Sequence, residues 1–179
     1  MINKLIEYIK QKWATMGPYY RFGFIQLPFY LILLYGVHTY QTRNLVPEDE
    51  TAPAFTLTDL KGNTISLEQY KGKPVMIYFF APWCTVCNLT SKSVSSLYDS
   101  DETERPVVLA VGLSYNSVQE LKGFAQKHNL EMPVLVGDAR VADEYHITGF
   151  PTFYFIDSNG KVTSRTIGFT TETGMNLRL

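Results

Sequence analysis

Phe79-Phe80-Ala81-Pro82-Trp83-Cys84-Thr85-Val86-Cys87 decides the fold of this chain. The run Val75-Met76-Ile77-Tyr78-Phe79-Phe80 reads as a buried strand, and a helix is expected from about Cys84 to Tyr98. The 179 residues hold only two cysteines, three positions apart. Random placement gives that gap roughly once in ninety, so the spacing favours a redox or metal motif over chance. At a strand-to-helix junction the first sulfur stands at a helix N-terminus. Unpaired backbone N–H groups and the helix dipole there stabilise a thiolate, which is the species that attacks disulfides. Cys84 is therefore the expected nucleophile, in a loop that leaves it open to a partner. Cys87, one turn further on, is placed to resolve a mixed disulfide. With no third cysteine for a structural bridge, the pair cycles, binds metal or sits idle.

Working outward, Ala54 to Thr58 and Thr64 to Ser66 read as a hairpin around a turn at Asp59 to Asn63. Ser66 is expected to cap a short helix through Tyr70. After a polar loop at Asp99 to Arg105 comes an apolar strand, Pro106 to Leu113, of the kind buried in parallel sheets. Ser117-Val118-Gln119-Glu120 predicts a capping box that opens a helix to about His128. A short strand at Pro133 to Val136 and a short helix at Ala139 to Tyr145 follow. Strands at Thr152 to Ile156 and Val162 to Ile167 close the pattern around a turn at Asp157 to Gly160. Alternating strands and helices with a final hairpin make an α/β domain on a mixed sheet. The last ten residues suggest a helix that Gly174 makes marginal.

The N-terminal part reads differently. Phe22 to Thr42 carries no Asp, Glu, Lys or Arg over 21 residues, which at about 1.5 Å per residue reaches the roughly 30 Å of a bilayer core. Tyr19, Tyr20, Tyr35 and Tyr40 near its ends fit interfacial aromatics. Lys4, Lys10, Lys12 and Arg21 precede the run, whereas Glu48, Asp49 and Glu50 follow it, so the C-terminal domain is expected on the outer side. A cleaved signal peptide is the rival reading, but Thr39-Tyr40-Gln41 is a poor cleavage site. Ile2, Leu5, Ile6, Ile9, Trp13 and Met16 recur at helical spacing and suggest an amphipathic segment on the inner leaflet. The expected organisation is a cytoplasmic segment at 1–21, a transmembrane helix at 22–42, a linker at 43–53 and a folded domain at 54–179. A net charge of −1 offers nothing to nucleic acid. His38, His128 and His146 are read as structural. A partial positive charge on His128 is expected to suit a helix C-terminus, and His146 alone is placed to approach the cysteines.

The Phe79–Cys87 segment and, much later, Gly149-Phe150-Pro151-Thr152 resemble the thioredoxin superfamily over about residues 52–170. The hairpin before Val75 and the extra strand-helix unit between the two motifs resemble its membrane-anchored TlpA-like branch. Within that branch the chain is most similar to the suppressor-for-copper-sensitivity D type, which shares the anchor, Thr90 and the Gly174–Leu179 ending. The resemblance implies a thioredoxin-like α/β fold behind a single transmembrane helix. It also implies a protein disulfide oxidoreductase with Cys84 and Cys87 catalytic, and a cis Pro151 facing them. Phe150, Pro151, Pro82 and Trp83 would line the substrate groove, with the Phe150 backbone free to pair with an extended peptide. The only redox group implied is the Cys84–Cys87 disulfide, with no other cofactor and no metal. Implied partners are thiols or disulfides of exported proteins and a membrane electron donor, at the periplasmic face of a bacterial inner membrane. A role in copper tolerance is implied too. Two departures stand out. Tyr78 replaces the buried Asp that serves the second sulfur in thioredoxin, and Thr90 replaces a Glu common in the TlpA-like branch. Neither is a good proton acceptor near neutral pH.

Thr85-Val86, between the cysteines, places no charge there, and the direction of electron flow stays open. The alternative function is copper binding or delivery, since two thiolates suit Cu(I). Zinc is weaker, because a structural site wants four ligands. A non-catalytic scaffold would not need an intact cysteine pair.

Overall fold

A computed structural model describes Lys4, Glu7, residues 18–99 and residues 106–179, with side chains in the first helix described from Gln26 onward. Apart from Lys4, Glu7 and residues 18–21, the amphipathic segment read at 1–21 lies outside the described residues, as does most of the polar loop at Asp99 to Arg105. The chain divides into two compact units, Met1–Gln41 and Thr42–Leu179.

Helix α1, Pro18–Thr42, has Pro28 inside it. Leu27, Ile32, Leu34 and Tyr35 are each more than half exposed. Among the described residues, no helix is long and apolar enough to cross a membrane. The apolar window read from sequence begins at Phe22, ahead of the first described side chain.

The second unit opens with a two-stranded hairpin, β1 (Thr56–Thr58) and β2 (Thr64–Ser66), followed by a 3-10 turn at Leu67–Tyr70. Then come β3 (Val75–Phe80), α2 (Thr85–Asp99), β4 (Val107–Gly112), α3 (Val118–Lys127) and β5 (Val134–Val136). The chain ends with α4 (Ala139–Glu144), β6 (Thr152–Ile156), β7 (Val162–Ile167) and α5 (Glu172–Asn176). Five strands form one mixed sheet in the order β5-β4-β3-β6-β7. β3 runs parallel to β4 and antiparallel to β6.

β3 is central and all six of its residues are buried, so it feeds a core on each face of the sheet. Side chains alternate. Val75, Ile77 and Phe79 join Tyr145, Tyr154 and Val162 on one face. Met76, Tyr78 and Phe80 join Phe153, Phe155, Cys84 and Cys87 on the other. At the end of β4, a side chain on Gly112 would collide with Leu121, so glycine lets α3 press against the sheet.

Four local expectations change. Residues 43–53, read as a linker, carry Leu45, Val46 and Ala52 into the core. Their backbone also bonds to the sheet edge, with Asp49 N–H donating to the Val162 carbonyl at 2.8 Å. Acids and prolines hid this, because only three residues of the segment face inward. The capping box is also displaced. The Ser117 side chain makes no cap bond. Instead Glu120 accepts from the Asn116 backbone N–H at 3.0 Å and from its side-chain amide at 2.9 Å. Asn116 reaches the carboxylate with both its backbone and its side-chain N–H, and these bonds hold the Glu120 carboxyl below its usual range. The terminal helix forms despite Gly174, because the Thr171 hydroxyl accepts from the Gly174 N–H at 3.2 Å as a cap. His128 is the fourth case. Burial first, and the neighbouring Lys127 charge second, lower its pKa, so the neutral ring wins over the cation expected at a helix C-terminus.

Candidate redox site

The site stands where β3 hands the chain to α2. Cys84 N–H donates to the Ala81 carbonyl at 3.1 Å, which closes a turn through Pro82 and Trp83. The Cys84 carbonyl then accepts the first helical bond from Asn88 N–H at 3.1 Å. Cys84 is thus the N-cap of α2. Its sulfur does what a capping oxygen does elsewhere, accepting the Cys87 N–H at 3.0 Å. This gives the expected thiolate stabilisation a specific donor, because an orphan N–H of the first turn points at the sulfur.

Cys84 and Cys87 form a disulfide with Cα atoms 5.2 Å apart. Cys87 is fully buried and Cys84 is 5% exposed. Here the expected open thiol needs correction: in the disulfide, Cys84 is turned toward Cys87 and its own helix, and little of it meets solvent.

The other residues read as site-forming converge on this end of β3. The Phe150–Pro151 bond is cis. Pro151 is buried, and its carbonyl accepts from Gly168 N–H at 2.8 Å, which ties the proline loop to the end of β7. No hydrogen bond among the described residues engages the Phe150 backbone. The Phe150 ring meets the Trp83 indole edge to face at 5.9 Å. Trp83 is 64% exposed yet fixed, since its Nε1–H donates to the Ser114 carbonyl at 2.8 Å. Ser114 holds φ at +51°, a left-handed conformation uncommon for serine. Pro82 is half-buried between Ala81 and Trp83.

The two departures at the second sulfur are visible. The Tyr78 ring stacks between Phe80 at 5.4 Å and Phe153 at 5.0 Å. Its hydroxyl donates to the Cys87 carbonyl and lies 3.2 Å from the Ser91 hydroxyl. Burial drives its pKa far upward, so it stays a neutral phenol. The Thr90 hydroxyl donates to the Val86 carbonyl at 2.9 Å. Neither side chain is a base.

Sequence reading passed over Ser114 and Asn88. Ser114 carried no signal, because what it offers is a main-chain carbonyl. Asn88 stands four residues after Cys84, a spacing at which helical side chains meet. Its amide donates to the Cys84 carbonyl at 2.8 Å. His146 is exposed, with φ at +50°, and no bond joins it to the cysteines. Among the described residues, no three His, Cys, Asp or Glu side chains are grouped to hold a metal, so the copper alternative gains no third ligand there.

The comparisons with known proteins agree with this geometry. The AhpC/TSA family profile matches residues 49–165. The thioredoxin-like protein YneN of Bacillus subtilis is 28% identical over 158 residues, covering 83% of this chain and 92% of that one. The thiol-disulfide oxidoreductase ResA of Geobacillus kaustophilus is 31% identical over 131 residues, 72% of this chain and 75% of its own. A solved structure assigned as the thiol:disulfide interchange protein DsbE of Chlorobium tepidum superposes with a TM-score of 0.67 at 25% identity. It covers 74% of this chain and 93% of that chain. With its cysteine pair at the head of α2 and a cis-proline loop beside it, the chain belongs to the thioredoxin-like AhpC/TSA family and is an enzyme of the thiol-disulfide oxidoreductase class.

Proposed function

We propose that this enzyme is tethered to the bacterial inner membrane by residues 22–42 and reduces or exchanges disulfides of exported proteins on the periplasmic side. The observation that carries the chemistry is the Cys87 N–H aimed at the Cys84 sulfur. In the reduced enzyme, the Cys84 thiolate attacks one sulfur of a substrate disulfide. An intermolecular S–S bond forms, the substrate bond breaks, and the departing substrate thiolate takes a proton. Cys87 loses its proton and attacks the Cys84 sulfur. The enzyme disulfide forms and the second substrate thiol leaves. The substrate gains two electrons and the enzyme loses two. A membrane dithiol donor then reverses the enzyme half of the cycle. With Tyr78 and Thr90 unable to accept it, the Cys87 proton leaves to water or to the departing thiolate.

An extended peptide fits as substrate because the Phe150 backbone is unengaged where Phe150 packs against the cluster that holds both cysteines, with Trp83 and Phe150 as an aromatic wall. The tether is supported by the uncharged run Phe22–Thr42, the 25-residue helix α1 and the exposed apolar side chains around it. The acidic residues after the run favour the outward domain. The link to copper tolerance rests on resemblance, and growth of a deletion strain in copper tests it.

Cys84→Ser is expected to abolish reduction of insulin disulfides; full activity would overturn the nucleophile assignment. In cells, an extraction-resistant chain whose C-terminal domain is cleaved by external protease in spheroplasts is expected. A chain released by alkaline wash would overturn the tether.

A further inference from the structure

The Asn88 carboxamide bonds to groups from two helices. Its Nδ2–H donates to the Cys84 carbonyl at 2.8 Å, beside the bond from its own backbone N–H to the same oxygen. Its Oδ1 accepts from the Lys127 ammonium at 2.8 Å and from His128 Nε2 at 2.9 Å. A carbonyl oxygen only accepts, so His128 Nε2 carries the proton in this contact. The His128 ring rests on Phe124 at 4.5 Å, and Phe124 stacks on Phe80 at 4.6 Å. Phe80 is the last residue of β3 before the redox loop. The contact thus stands on a rigid aromatic column under the site itself. A second tie joins the same helices, since the Ser95 hydroxyl donates to the His128 carbonyl at 3.2 Å.

We infer that Asn88 is a positioning residue for the nucleophile, connecting the Cys84 peptide to the Lys127 cation and the His128 donor. The Cys84 carbonyl carries partial negative charge within the same residue as the sulfur. Two donors on that oxygen, one polarised by an ammonium through the Asn88 amide, reduce the negative potential the sulfur feels. The thiolate is thereby favoured. The reduced enzyme gains stability relative to the disulfide, and the couple becomes more oxidising. The bridge also holds the first turn of α2 against α3, keeping the Cys87 N–H directed at Cys84 in both redox states. This inference rests on Cys84 being the nucleophile.

The test uses the full chain reduced with a phosphine, and reads the pH dependence of iodoacetamide alkylation at Cys84 and the equilibrium with glutathione. Asn88→Ala is expected to raise the Cys84 pKa and to shift the glutathione equilibrium about threefold toward the enzyme disulfide. Lys127→Gln, at an exposed residue, is expected to move both readouts the same way by less. In the Asn88→Ala background, Lys127→Gln is expected to add nothing, because the cation acts through the amide. Wild-type values in Asn88→Ala overturn the inference, as does a Lys127→Gln shift that persists unchanged without Asn88. Should Asn88→Ala not fold, Lys127→Gln decides alone, and an unmoved pKa overturns the inference. Cys84→Ser separates the two questions, since it removes the fast-alkylating thiol only if Cys84 is the nucleophile.

Discussion

The two faces of the sheet use the same buried group, a tyrosine hydroxyl, to opposite ends. On the face away from the cysteines, hydroxyls fasten backbone to backbone. Tyr154 accepts the Val46 N–H at 3.0 Å and donates to the Tyr145 carbonyl at 2.6 Å. Tyr145 donates to the Pro53 carbonyl at 2.7 Å. Arg165 adds a bond to the Val46 carbonyl at 3.0 Å. These bonds bind the segment that follows α1 to the domain. On the redox face, the Tyr78 hydroxyl lies beside the second cysteine of the pair. It binds the Cys87 carbonyl but cannot take the Cys87 proton. Burial raises all three phenols, Tyr154 to about 12, which makes each a permanent donor. A group that never ionises near neutral pH is well suited to holding a chain and unsuited to passing a proton.

The comparison can be broken at several strengths. Cys87→Ala has the largest expected effect. Without a resolving thiol the enzyme should accumulate as a mixed disulfide with substrate, seen on non-reducing gels, and multiple turnover should fall to background. Free turnover in that variant would mean that an outside thiol resolves the intermediate.

Tyr154→Phe should come next, lowering unfolding stability by about 2–4 kcal/mol, because the buried Val46 N–H and Tyr145 carbonyl each lose a partner. Chemical denaturation measures this, and a loss under 0.5 kcal/mol would show that the clamp is not holding. Redox activity of the folded fraction should stay close to wild type, since the change lies on the far face.

The phenols also set an alkaline limit. Their folded pKa values exceed the unfolded value of about 10, so the native state retains protons that the unfolded chain releases. The stabilisation is complete below pH 10 and is lost as pH rises through the folded values, near 12 for Tyr154. Stability measured from pH 9 to 12 should fall with a slope of several protons. Tyr154→Phe should reduce that slope by up to about one proton.

Tyr78→Phe is the smallest and most discriminating change. Losing one hydroxyl beside an oxygen that Ser91 also serves, at 2.7 Å, should cost about 1 kcal/mol. Turnover should stay within about twofold at pH 7. A tenfold loss would mean that Tyr78 takes part in proton transfer after all.

Much of this was legible in the chain. β3, β6 and β7 begin and end where residue type predicts, because a run of apolar or alternating side chains is a local property. The redox pair was legible for the same reason, since helix caps are written within four residues. The linker reading failed because two apolar residues among acids and prolines make no period, although Leu45 and Val46 are buried. The capping-box reading failed because Asn116, one residue outside the motif, outcompetes Ser117 for the Glu120 carboxylate.

What the amino-acid order determined by itself was short-range: where strands and helices lie, and that the first sulfur stands at a helix start among unpaired backbone N–H groups. Only folding decided which distant groups met, at the redox site and on the far face of the sheet. The Trp83 indole found Ser114, 31 residues away, the Asn88 amide found His128, 40 away, and Tyr154 found Val46, 108 away. Periodicity and capping reveal bonds within a turn or two of chain, whereas a bond across the sheet depends on the packing that brings its partners together.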